Sequence, residues 1–313
     1  MLRYICPSSK GRSQMKLLSL VAAALPLFVL AAAPVTIDAR TKKKAAPAAV
    51  DPAVAATLDA ETAAKVESAL AGANREEGAK ARDAVRHPKQ MFAFVGLKSD
   101  STLVEISPGG GYWADIFAPV LREKGKYIAA TSDPNGGGRR GYAAMLTKWA
   151  AAPDIYGKAQ VSIYAPASAT PPAIAPAGTA DIVWVARHIH GLKGQKIVAP
   201  AFKLWADALK PGGVLIIEQH RLPESRPDPA EVTGYVKESE VIAFAAAAGL
   251  KLVGKSEINA NPKDTADHPF GVWTLPPAKW TTKGNTGTDP NFDRTKYDAI
   301  GESDRMTLKF MKP

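Results

Sequence analysis

VEISPGGGYW, residues 104–113, decides the fold. An apolar run carrying one acid, Thr102–Ile106, reads as a buried strand, and three glycines follow it. Glycines at such a place let backbone approach a ligand with no Cβ in the way. The next segment repeats apolar residues at Trp113, Ile116, Phe117, Val120 and Leu121, the i, i+3, i+4, i+7, i+8 spacing of one helix face. A strand, a glycine turn and a helix start together offer unpaired N–H groups at the carboxyl end of a strand, where open α/β sheets hold ligands.

Outward from this unit, apolar runs and helical patterns alternate. Residues 126–131, 160–165, 182–186 and 213–218 read as strands, and 251–256 and 306–310 as the last two. Helical patterns cover 142–149, 199–209 and 239–248, the last closed by Gly249 at a position suited to left-handed backbone. Upstream, 60–85 is rich in helix formers with a break at 72–74. RDAVRHP (82–88) ends that stretch at a proline, and KQMFAFVGL (89–97) gives a further short helix closed by Gly96. Strands separated by helices over this length predict a doubly wound, mostly parallel seven-stranded sheet of Rossmann-like α/β class. The predicted organisation is a signal peptide over 1–33, a flexible linker over 34–58, a helical extension over 59–95 and the α/β domain over 96–313. A long segment, 259–303, is inserted between the last two strands; its Phe270, Trp273, Trp280 and Tyr297 suit a lid or a self-packed cover over the sheet edge.

The formal charge of +10 would point to a polyanionic partner, but its location removes that implication. Residues 1–44 hold eight Lys/Arg against Asp38 alone, leaving +3 for the rest. No nucleic-acid partner is expected of the folded part. Lys10, Arg12 and Lys16 precede the apolar run Leu17–Ala33, the layout of a secretory signal. Export, with a periplasmic location and no stable membrane insertion after cleavage, is the expectation; an uncleaved inner-membrane anchor is the alternative. The single cysteine, Cys6, lies in this leader, so the rest of the chain has no disulfide or thiolate metal site. His188-x-His190 lacks a third nearby ligand, and no metal is expected.

The glycine loop admits two cofactors. Gly109-x-Gly111-x-x-Ala114 satisfies the dinucleotide spacing, with Asp133 at the distance of a ribose-binding acid. Glu105, four residues before Gly109, would face a pyrophosphate unfavourably and suits an ammonium or sulfonium instead; S-adenosylmethionine carries both. VEISPGGGYW, DIVWVARHIHGL (181–192), LKPGGVLIIEQH (209–220) and AAGLKLV (247–253) occur in the order of successive strands. This set resembles the class I S-adenosylmethionine-dependent methyltransferases, over about residues 80–313. RDAVRHP, SPGGGYW and GESDRMTLKFMKP (301–313) further resemble a group of exported bacterial members.

The resemblance implies a fold whose last strand runs antiparallel, and an enzyme that methylates a small molecule or envelope component with S-adenosylmethionine as cofactor. By it, Glu105, Ser107, Gly109 and Gly111 would hold the methionyl end; from the residues themselves, Gly110 adds Cβ-free backbone to the same loop and Tyr112 suits a cation–π contact with the sulfonium. Asp133 would take the ribose, and Tyr164 and Ala165 would border the adenine. Arg187 and His188 would sit beside the methyl group. Read as chemistry, the run RHIH offers His188 or His190 as a base and Arg187 to orient an anionic acceptor. Glu218 and His220, ending the fifth strand, are expected toward the same pocket. The chain departs from the family twice: Ser107 stands where the loop has its first glycine, and the second strand ends in Thr131 rather than an acid. These departures keep open a silent binding protein on the same scaffold, and the glycine spacing keeps open a nicotinamide oxidoreductase.

Overall fold

A computed structural model describes residues 57–132 and 139–313. The signal, most of the linker and Asp133 lie outside these. The extension comprises α1 (Ala60–Leu70), α2 (Glu77–Lys80), α3 (Asp83–Arg86) and α4 (Pro88–Val95). The predicted break at 72–74 is real, and the second part is two single turns rather than one helix. Asp59 caps α1 by accepting from the Thr62 N–H at 2.9 Å. Pro88 opens α4 and Gly96, at φ 80°, closes it.

Then come β1 (Thr102–Ile106), α5 (Ala114–Leu121), β2 (Lys126–Thr131), α6 (Arg139–Ala151), α7 (Pro153–Tyr156) and β3 (Gln160–Ile163). The second half runs β4 (Ala180–Ala186), α8 (Ile189–Gly194), α9 (Val198–Ala208), β5 (Leu209–Leu222), β6 (Val236–Lys237), α10 (Glu238–Ala247) and β7 (Lys251–Ser256). β8 (Pro269–Val272) and α11 (Thr295–Ile300) lie in the insertion, and β9 (Arg305–Met311) ends the chain. The sheet order is β3-β2-β1-β4-β5-β9-β7, with the two-residue β6 added beside β5. β1 to β5 are parallel, and β9 slots antiparallel between β5 and β7. The chain winds outward from β1 to β3, then crosses to place β4 on the other side of β1. That crossing is the topological switch point, where strand ends diverge and leave a crevice.

Period-two alternation sorts the strand residues onto two cores. Val104 and Ile106 face one with Val183, Val185, Leu215 and Ile217, under α8–α10. Leu103 faces the other with Ala129 and Trp184, under α1, α4 and α5. Parallel register aligns Glu105 with Ala129 and Trp184, so this acid shares the second, aromatic core. Trp113, Phe117 and Phe92 pack around Trp184 there, with ring centroids 4.8, 5.1 and 6.0 Å from its own. Such burial drives the docking of α4 and α5 on the sheet. Trp113 is therefore a core residue.

The insertion packs partly on the end of β5 and the segment after it, where Val272 is buried with Leu222 and Tyr235, and partly on itself. Trp273 stacks on Trp280 at 5.1 Å, Phe270 meets Phe292 at 5.5 Å, and Phe292 stacks on Tyr297 at 5.4 Å. No helix among the described residues is long and apolar enough to cross a membrane.

Candidate functional site

A cleft of about 540 Å³ opens at the carboxyl ends of β1, β4 and β5. The turn after β1 forms its floor. Ser107 sits at φ 51°, a left-handed conformation that costs a non-glycine residue and explains the glycine expected there. Its N–H donates to the Ala130 carbonyl at 2.8 Å, and the Gly111 N–H closes the turn on the Pro108 carbonyl at 3.0 Å. The Gly109 and Gly110 N–H groups make no backbone hydrogen bond among the described residues. Gly109 (φ 58°) and Gly111 (φ 81°) need glycine for their backbone angles. Gly110 does not, yet a Cβ there would meet nothing within 4 Å, so the cleft is open above it.

Glu105 stands at the edge of this floor, only 2% exposed. The Tyr127 hydroxyl donates to its Oε2 at 2.6 Å. Burial pushes the carboxyl up to about 8 in spite of that bond. An acid placed in an aromatic core by strand alternation has lost its water and has gained one hydroxyl in return.

Tyr112 lines the cleft but its polar and aromatic faces are both engaged. Its hydroxyl donates to Asp83 Oδ1 at 2.6 Å, and the Arg86 guanidinium lies 4.4 Å from its ring centroid. It bolts α3 to the glycine turn. Asp115 is buried at the start of α5, accepting from Lys148 Nζ at 2.6 and 2.7 Å and from the Tyr156 hydroxyl at 2.6 Å. Neither Asp115 nor Lys148 stood out in the sequence, since an ordinary helix-start acid and a helix lysine carry no local signal.

At the end of β4 the two histidines part. Arg187 takes φ 55° and its N–H donates to the Glu218 carbonyl at 2.6 Å, which turns the chain so that Arg187 and His188 line the cleft. His188 precedes α8, and its Nε2 is buried with no hydrogen-bond partner among the described residues. Burial, then the neighbouring His190, push its imidazole down to about 4. His190 points away. It meets the Gln219 amide at 3.3 Å, lies edge-on to Trp273 at 5.8 Å and lines a separate hollow with Lys193 and Glu231. Two residues apart across a helix start, where each residue turns the chain by about 100°, the two side chains leave on different sides. Among the described residues no three His, Cys, Asp or Glu side chains gather as metal ligands.

Tyr164 and Ala165 do not line the cleft either. Tyr164 is buried in the core beneath it, its ring 5.6 Å from His188 and 6.4 Å from Trp205. β2 ends in Thr131, whose carbonyl accepts from the Tyr164 N–H at 2.7 Å. His220 does reach the cleft, with its Nδ1 2.6 Å from the Ser303 hydroxyl, and burial holds it well below the usual histidine range. Glu218 faces Arg305 instead, with an Oε1 to Nε separation of 2.7 Å. Arg82 from the extension and Pro277 from the insertion complete the rim.

No protein-family model and no curated protein matches the chain. Solved structures of similar chain path include a SAM-dependent methyltransferase from Aquifex aeolicus, at 19% identity and a TM-score of 0.44, covering 57% of this chain and 87% of that one. The cyclase SpnF is similar at 15% identity and a TM-score of 0.49, covering 81% and 93%. Geranyl diphosphate C-methyltransferase from Streptomyces coelicolor A3(2) is similar at 15% and 0.46, covering 79% and 87%. At these values the likeness adds nothing to the chemistry of the cleft. The fold itself follows from the strand order: a doubly wound, Rossmann-like α/β sheet whose last strand, β9, is antiparallel.

Proposed function

We propose that the cleft binds S-adenosylmethionine and that the chain methylates a small-molecule acceptor. The observation that carries this is Glu105: a desolvated carboxyl at the switch point, beside a turn whose backbone is open to a ligand. A cationic ligand would draw the proton off this acid and be offset by it, whereas a dinucleotide's phosphates would keep it neutral and gain no countercharge from it. Bound there, S-adenosylmethionine supplies an electrophilic methyl group on a positively charged sulfur.

The residues present fit such a ligand. Glu105 would face its ammonium or sulfonium end, and the free N–H groups of Gly109 and Gly110 would take its carboxylate. Ser107 shapes the turn. Thr131 offers no acid for the ribose, which leaves that role to Asp133. His188 is neutral at pH 7, with Nε2 free to accept a proton from an acceptor hydroxyl or amine. Export belongs to the same proposal, resting on residues 10–33, and N-terminal sequencing of the native protein tests it.

A binding protein without turnover is the second reading, favoured by the strained Ser107 and the acid-free end of β2. Calorimetric titration with S-adenosylmethionine, S-adenosylhomocysteine and NAD, followed by a labelled-methyl screen, separates the readings. Binding of the first two with label transfer supports the enzyme, and binding without transfer supports the silent protein. Binding of NAD alone overturns both.

A further inference from the structure

Beside Glu105, the cleft carries a group of arginines that outnumbers its carboxylate partners. Arg82 and Arg187 line it, and Arg86 and Arg305 stand close by. These four share two carboxylates, Glu302 and Glu218. Arg82 Nε donates to Glu302 Oε1 at 2.6 Å, and Arg305 Nη1 donates to Glu302 Oε2 at 2.6 Å. Arg86 reaches the same oxygen only at 3.4 Å, although its side chain is fully buried. Among the described residues, Arg86 Nη1 and Nη2, Arg82 Nη2 and Arg187 Nε are buried with no hydrogen-bond partner. Glu302 is held down at about 2 despite its burial, chiefly by Arg86 and Arg305, so it is already saturated with cations. Among the described residues, Glu218 Oε1 and Oε2 and Arg305 Nε are likewise buried without a hydrogen bond, so Glu218 can take only part of these donors. The guanidinium does not readily shed its proton, and four arginines against two carboxylates leave N–H donors for an acceptor from outside.

We infer that Arg82 and Arg187, backed by Arg86, form a subsite for an oxyanion, a carboxylate or phosphate group of the methyl acceptor. The inference rests on the methyl-transfer reading of the cleft and names its substrate class. Planar guanidinium forks match both kinds of oxyanion, and one dianion or two monoanions would balance the surplus charge. The helical extension acquires a role by this: α3 and the turn before it bring Arg82 and Arg86 to the cleft, and Tyr112 holds them there. The acceptor's anion would lie beside His188 and His220, which stay neutral and would not compete for it.

The test is titration of the purified protein, at fixed ionic strength and without a methyl donor, with benzoate, phenyl phosphate and neutral benzamide. At least one anion should bind ten times more tightly than benzamide, and the stronger of the two names the oxyanion. Arg82→Met should weaken it about tenfold. This variant leaves Glu302 paired with Arg305, so the fold is retained, which circular dichroism checks. Arg187→Lys, which keeps the charge and loses the fork, should fall between wild type and Arg187→Met. Anions no tighter than benzamide, or an unchanged affinity in folded Arg82→Met, overturn the subsite. Anion binding without S-adenosylmethionine binding overturns the methyl-transfer reading and keeps the anion site. S-adenosylmethionine binding without anion binding does the reverse.

Discussion

The two ends of the cleft bury charge of opposite sign, and they meet the cost differently. At the β1 end the Glu105 carboxyl is desolvated in an aromatic core, with no cation beside it among the described residues such as Asp115 has in Lys148, and it responds by holding its proton up to about 8. At the β4–β5 end guanidinia outnumber the buried carboxylates Glu218 and Glu302. Arg86 is pushed down by burial and by Arg187, yet only to about 10, so it remains charged at every physiological pH. An acid can wait neutral until its partner comes, whereas an arginine cluster must be neutralised by something. On the proposed reading, the first end answers a cation and the second takes an anion.

Blocking one end alone gives the largest expected effect. Gly110→Trp adds a side chain where Cβ has free space and backbone is unstrained. S-adenosylhomocysteine binding should fall by at least about 100-fold, that is by about 2.7 kcal/mol or more. Benzoate or phenyl phosphate binding should survive, and joint loss would show a single undivided pocket. Next, His188→Ala should lower methyl transfer about 100-fold, while His190→Ala changes it less than about threefold. Equal losses would break the separation of the two histidines. The acid limb of the wild-type rate profile should lie near 4 rather than 6.5, since His188 is pushed down to about 4.

Glu105→Gln should weaken S-adenosylhomocysteine, whose ammonium remains, by about tenfold, and remove the proton released when the cation binds at pH 7. Calorimetry in buffers of different ionisation enthalpy reads that proton directly. The sign also shows in stability. Because the folded value is raised, the contribution of protonated Glu105 is present below about 4.5 and is lost as pH rises through about 8. Urea unfolding at pH 5, 7 and 9 should therefore show the glutamine variant gaining on wild type with pH. A constant difference would mean that Glu105 is ionised throughout. The smallest effect is Tyr112→Phe, which removes the bond to Asp83 and should cost about 1 kcal/mol in the same assay.

VEISPGGGYW and the alternating runs after it determined the doubly wound sheet, the glycine turn and the apolar face of α5. These are local patterns: period two, period 3.6 and the special backbone angles of glycine need only near neighbours. The antiparallel β9 came from family resemblance rather than from period. Glu105 was legible as a candidate because an acid inside an apolar run is conspicuous. Its raised proton affinity was not, since that depends on Trp184, Tyr127 and α5 closing around it. The order HIH could not say that His188 enters the cleft and His190 leaves it, because the left-handed bend at Arg187 makes that choice. Tyr164 looked like a pocket wall at a strand end and proved to be core, filled in under His188 by packing from α9.

The arginine group lay furthest from the sequence's reach. Arg82 and Arg86 are separated from Arg187 by a hundred residues and from Arg305 by more than two hundred, so no local pattern joins them. Chain order sets which elements form. Only the folded sheet, by bringing the extension and β9 against the ends of β4 and β5, sets which charges must share one desolvated space.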